Sequence, residues 1–176
     1  MRTIKYLVII LIAVLVLGSC RKIEQLSPVP KIEFISFSVF DTTESQLGNN
    51  CKGGRLKFYF EDGDGDLGLE VPSGNQPDTT NMFLTLSKNK GGIMVLSSGL
   101  DPLLPYSKYR IPYMERTGQN KILKGTISVT FLYTFYDPKD NDTIKYDFYI
   151  KDRADHKSNT VPTCEIPVSV NGLYEN

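Results

Sequence analysis

Tryptophan is missing from this chain of 176 residues, histidine occurs once, and cysteine occurs three times. Each shortage removes a class of function. Without indole rings a strong sugar-stacking platform has no material. The single histidine, His156, lies in a polar loop with no serine elbow near it, so a Ser-His-Asp or Cys-His arrangement lacks its parts. Three cysteines and one histidine give no zinc-type ligand spacing, and neither G-x-x-x-x-G-K-[ST] nor a G-x-G-x-x-G between a strand and a helix occurs. Basic clusters are lacking too. The lysines are scattered among acids, so nothing is built to neutralise a phosphate backbone, and no nucleic-acid partner is expected. Helical periodicity is not sustained anywhere after Cys20.

What the chain does have begins at its first residue. Arg2 and Lys5 precede the apolar run Leu7 to Leu17, which is the layout of a secretion signal. The run falls short of the roughly 20 apolar residues that span a bilayer, and it ends in small residues and a cysteine. Leu17-Gly18-Ser19-Cys20 resembles the lipobox of bacterial lipoproteins, with serine at the position where glycine or alanine is commoner. The resemblance implies a signal peptide over residues 1–19, cleavage before Cys20, and acylation of the Cys20 thiol. The expected address is therefore the cell envelope, with the outer membrane as the anchoring surface. Arg21-Lys22-Ile23-Glu24 is not a decisive sorting signal between its periplasmic and outer faces.

Removing 19 of the 176 residues leaves enough chain for one domain with its own core. Residues 20–30, with Ser27, Pro28 and Pro30, read as a short lipidated tether or as the first turn of the domain. Residues 31–176 form the domain itself. Its remaining cysteines, Cys51 and Cys164, reside in a compartment where disulfides persist. One bridge between them would close most of the domain and contribute about 5 kcal/mol of chain-entropy stabilisation before strain. The alternative is two isolated thiols.

The domain reads as strands throughout. In Arg55 to Glu61, Leu56, Phe58 and Phe60 alternate with polar neighbours, the period of a half-buried strand. Asn81 to Lys88, Thr126 to Tyr136 and Thr143 to Lys151 repeat it, and the run from Asp137 to Asp142 joins the last two as a hairpin. Lys31 to Phe40, Gly92 to Leu96, Tyr109 to Met114 and Thr160 to Val170 are weaker; Pro162 and Pro167 confine the last to an edge. Seven to eight short antiparallel strands in a domain of this size predict an all-β, Ig-like antiparallel sandwich.

Two segments carry a resemblance. Phe60-Glu61-Asp62-Gly63-Asp64-Gly65-Asp66-Leu67-Gly68 is similar to the loop motif of small Ig-like lipoproteins typical of Bacteroidota. The stretch from Asp152 to Ser158 is similar to the D-x-A-G-N-x-S loop before the last strand of many bacterial Ig-like domains, with Asp155 and His156 replacing the Gly-Asn pair. Neither resemblance implies catalysis.

The first of these loops is a candidate cation site. Asp62, Asp64 and Asp66 alternate with glycines, so their carboxylates can turn toward one point, as Ca2+ with its 6 to 8 oxygen ligands requires. It is not an EF-hand, because Leu67 stands where that loop needs glycine and Ser73 where it needs glutamate. In an Ig-like sandwich the B-C and F-G loops share one end, so Asp152 and Asp155 are the expected further ligands. The competing reading is a solvated Asp-Gly turn.

A second candidate is the interleaved set Tyr109, Arg110 and Tyr113, residue types favoured at interfaces, against an edge strand whose tyrosines pack with hydroxyls in water. The sequence thus points to a membrane-anchored, non-catalytic binding or structural domain. Its candidate partners are an envelope protein or a glycan. A small hydrolase using the acidic loop is the enzymatic alternative.

Overall fold

A computed structural model describes residues 26–46, 48–73, 79–97, 105, 107–116, 121–134 and 143–175. The signal peptide, Cys20 and the turn from Asp137 to Asp142 lie outside them. The architecture is the expected all-β sandwich of two antiparallel sheets.

The first sheet holds β1 (Lys31–Thr43), β2 (Asn50–Asp62), β6 (Leu123–Tyr133) and β10 (Gly172–Tyr174), in the order β10-β1-β2-β6. The second holds β3 (Met82–Lys90), β4 (Ile93–Leu96), β5 (Lys108–Tyr109), β7 (Thr143–Ile150), β8 (Val161–Pro162) and β9 (Ile166–Pro167). Here β4, β3 and β7 are consecutive, β5 extends the β4 edge of β3, and β8 and β9 both pair with β7. With β2 as strand B, β3 as C, β6 as E and β7 as F, the long strands follow the A-B-E and C′-C-F-G arrangement of an Ig-like sandwich.

The alternation in the sequence becomes the core. From β2, Leu56, Phe58 and Phe60 face Met82 and Leu84 of β3 and Ile144, Phe148 and Ile150 of β7, all buried. Phe58 lies 5.3 Å from Phe148, ring centre to ring centre, across the sheet interface. At the heart of the core Tyr133 and Tyr146 satisfy each other through a hydroxyl-to-hydroxyl hydrogen bond of 3.0 Å, as buried phenols require.

The described residues form ten strands where the sequence predicts seven or eight, for identifiable reasons. The final strand is divided into β8 and β9. Between them Thr163 continues the ladder with its side chain: its N–H donates to the Tyr146 carbonyl, and its Oγ1 accepts the Tyr146 N–H. Tyr109 to Met114 yields only the two-residue β5 and one isolated bridge at Pro112. The C-terminal Gly172–Tyr174 adds an edge strand against β1.

The stretch read as a tether is in part packed structure. Pro30 is buried, and the Ser27 carbonyl accepts the Gly63 N–H at 2.9 Å. Cys51 and Cys164 are free thiols in the structure. Cys51 is on β2 opposite Thr42 of the first sheet, while Cys164 lies between β8 and β9 of the second. Burial pushes both thiols above their ordinary value.

Candidate metal centre

The core-facing alternation of β2 does not stop at Phe60. One step further it places Asp62 inward, at zero exposure, so a carboxylate occupies a core position. Its Oδ2 accepts the Leu67 N–H at 2.9 Å, which folds the chain back over Gly63 to Asp66. Among the described residues its Oδ1 has no hydrogen-bond partner, and the same holds for the buried Oδ1 atoms of Asp64 and Asp66. One ligand oxygen from each of the three residues falls within a group no wider than 4.8 Å.

The glycines of this loop explain how it is held. Gly65 and Gly68 adopt left-handed backbone angles, φ +67° and +92°. A Cβ on either would overlap a carbonyl oxygen, that of Lys121 and that of Pro112 respectively. The chain passes so close to these neighbours that only glycine fits.

The loop following β7 closes over the acidic loop, bringing the two connections to one end of the sandwich. The Arg153 N–H donates to the Asp66 carbonyl at 3.3 Å, and its guanidinium donates to the Gly68 carbonyl at 3.1 Å. The Lys151 N–H donates to the carbonyl of buried Asn81, and Asn81 Oδ1 accepts the Ile111 N–H at 2.7 Å.

Asp152 and Asp155, expected together as further ligands, are separated. Asp152 is buried, and its carboxylate accepts both the His156 N–H and the His156 ring Nδ1–H, each at 2.8 Å. That pairing raises the His156 pKa, through the hydrogen bond first and the charge second. Asp152 still lies close enough to Asp66 to act on it electrostatically. Asp155 turns away into solvent, pairing with Lys151 at 2.7 Å. It does so at φ +68°, the conformation glycine takes most easily, at the position where the similar loops carry glycine.

The electrostatics follow from this crowding. Burial, then the Asp64 carboxyl beside it, pushes the Asp62 pKa up to about 6. Burial and the charges of Asp152 and Asp64 also raise Asp66, against the opposing pull of Arg153. Three clustered carboxylates, each with one oxygen closed to solvent, form an oxygen-only set that suits a hard cation.

The aromatic and basic set does not form one surface. Tyr109 packs inward, its ring 5.1 Å from Phe131. Arg110 donates to the Glu70 carbonyl. Tyr113 is exposed but lies beneath the Arg153 guanidinium at 4.9 Å. Arg153, Asn81 and the Leu26–Ser27 segment are the site-building residues the sequence did not single out; only the even spacing of Asp62 from Phe58 and Phe60 was available as a signal. No family model, no curated protein and no solved structure matches the chain.

Proposed function

We propose that this chain is an envelope lipoprotein, anchored through an acylated Cys20, whose β-sandwich binds a partner and does not catalyse a reaction. The observation that carries it is the apolar run Leu7 to Leu17 closing on Leu17-Gly18-Ser19-Cys20 directly ahead of an all-β domain.

The uses to which reactive groups are put support the non-catalytic part. Both described thiols are shifted away from the thiolate a nucleophile needs, and the Oδ1 atoms of Asp62, Asp64 and Asp66 are closed to solvent. A protein partner is favoured over a glycan by the edge strand β4, which exposes Ile93, Val95 and Leu96. Such an apolar edge is suited to another chain, whereas the exposed ring of Tyr113 is covered by Arg153.

Metabolic labelling with a fatty acid tests the anchor. The wild type takes up label and Cys20→Ser remains unlabelled precursor; an unlabelled, soluble wild type refutes it. Crosslinking in the native membrane tests the partner. An envelope protein captured by the wild type is lost in Ile93→Lys/Val95→Lys, while retardation in a polysaccharide gel would instead identify a glycan module. Turnover that disappears in Asp64→Asn would establish the hydrolase.

A further inference from the structure

Three acidic residues on one loop are common in plain turns, and their number alone means little. Asp62 is different in kind. It has no solvent exposure, it occupies a core position on β2, one of its carboxylate oxygens lies in the cluster, and its Oδ1 has no donor among the described residues. A buried carboxylate oxygen left without a donor is costly in desolvation, and two more carboxylates within 4.8 Å add repulsion. Native structures retain such an arrangement when something offsets it.

We propose that Asp62, Asp64 and Asp66 bind one Ca2+ ion as a closed, structural site. The donor set is oxygen only, which selects a hard cation over zinc or copper. The charge fits: three carboxylates and one divalent ion leave a single negative charge, beside which Arg153 is placed. Closure argues for calcium over magnesium, because Mg2+ retains several waters whereas Ca2+ accepts irregular carboxylate and carbonyl sets. Asp152 acts one step back, its charge on Asp66 and its carboxylate engaged with His156. The ion fixes the loop that touches Ser27, Lys121 and Pro112, so it holds the N-terminal segment to the sandwich. This assignment is independent of whether Cys20 is acylated.

The test uses the full chain in detergent, stripped with chelator and titrated with CaCl2 or MgCl2. Calorimetry is expected to show one Ca2+ per chain. A hundredfold excess over Kd is expected to raise Tm by roughly 5 to 10 °C. Mg2+ should bind at least tenfold more weakly. Asp64→Asn, an isosteric change at a partly buried position, should lose the Tm response, while Asp155→Asn keeps it. No heat and no Tm change at millimolar Ca2+, a response retained in full by Asp64→Asn, or a preference for Mg2+ would each overturn the assignment. A stripped chain that unfolds and regains structure on adding Ca2+ supports it.

Discussion

The side chain of Asn159 serves as a piece of strand. Its Oδ1 accepts the Ile32 N–H at 2.9 Å and its Nδ2 donates to the Ile32 carbonyl at 2.8 Å, so one amide satisfies both backbone groups of a residue with no exposure. The pair joins the loop after β7 to the start of β1, 127 residues away in sequence. Asn159→Ala removes two hydrogen bonds, each contributing about 1 kcal/mol net, and leaves two backbone groups at the sheet edge unpaired at about 1 kcal/mol or more each. Asn159 is itself exposed, so water can reach part of the gap. The expected loss is therefore about 2 to 3 kcal/mol. Asn159→Asp should be no better, since a carboxylate cannot donate to the Ile32 carbonyl. Without tryptophan, far-UV circular dichroism in urea is the suitable signal, with an unchanged m-value showing that the folded and unfolded states are otherwise alike. If Asn159→Ala denatures within 0.5 kcal/mol of the wild type, in the range of a neutral surface change, the bracket between loop and strand contributes nothing and the reasoning fails.

Three further outcomes follow from the same geometry. In chelator, stability should fall as pH rises from about 4 through about 6, because folded Asp62 keeps its proton to about 6 while the unfolded residue releases it near 3.8. The full loss is about 3 kcal/mol, and Asp62→Asn should lack that slope; parallel melting profiles would reject it. Gly65→Ala should cost at least about 3 kcal/mol, since the added methyl meets the Lys121 carbonyl, whereas Gly91→Ala, at φ +63° in open space, should cost only the 1 to 2 kcal/mol of a left-handed residue. Equal losses in denaturation would show that overlap is not the cause. Finally, Cys51 and Cys164 should both react with a thiol reagent in the unfolded chain, and reductant should leave the melting temperature unchanged.

Much of the sandwich was legible because its long strands expose the period of two. Leu56, Phe58 and Phe60 on β2 and Ile144, Tyr146, Phe148 and Ile150 on β7 fall on the core face as their spacing requires. β1 was harder because its register shifts between Phe34 and Ser36. Its inward residues change parity there, from Ile32 to Phe37 and Val39, as a bulge dictates. Tyr109 to Met114 alternates without forming a strand of that length, because Pro112 cannot donate to a ladder and Arg110 reaches instead to Glu70. At the acidic end, the three aspartates were visible as a motif. The division of labour between Asp152 and Asp155 was not, since it depends on which carboxylate His156 and Lys151 select once the loop has turned. The role of Asn159 rests on a contact that no local pattern encodes.

The hydrogen bond between Ser27 and Gly63 also sets an orientation. Leu26, the first residue placed against the acidic loop, is six positions beyond Cys20, and six residues reach at most about 20 Å however they are arranged. With a lipid on Cys20, the Asp62 end of the sandwich must therefore stand close to the bilayer surface. The strands then run outward. β4 pairs with Ser87 to Lys90, the half of β3 farthest from that end. Its exposed Ile93, Val95 and Leu96 are thus carried toward the distal rim. A partner meeting that edge would then approach from the side of the sandwich opposite Leu26.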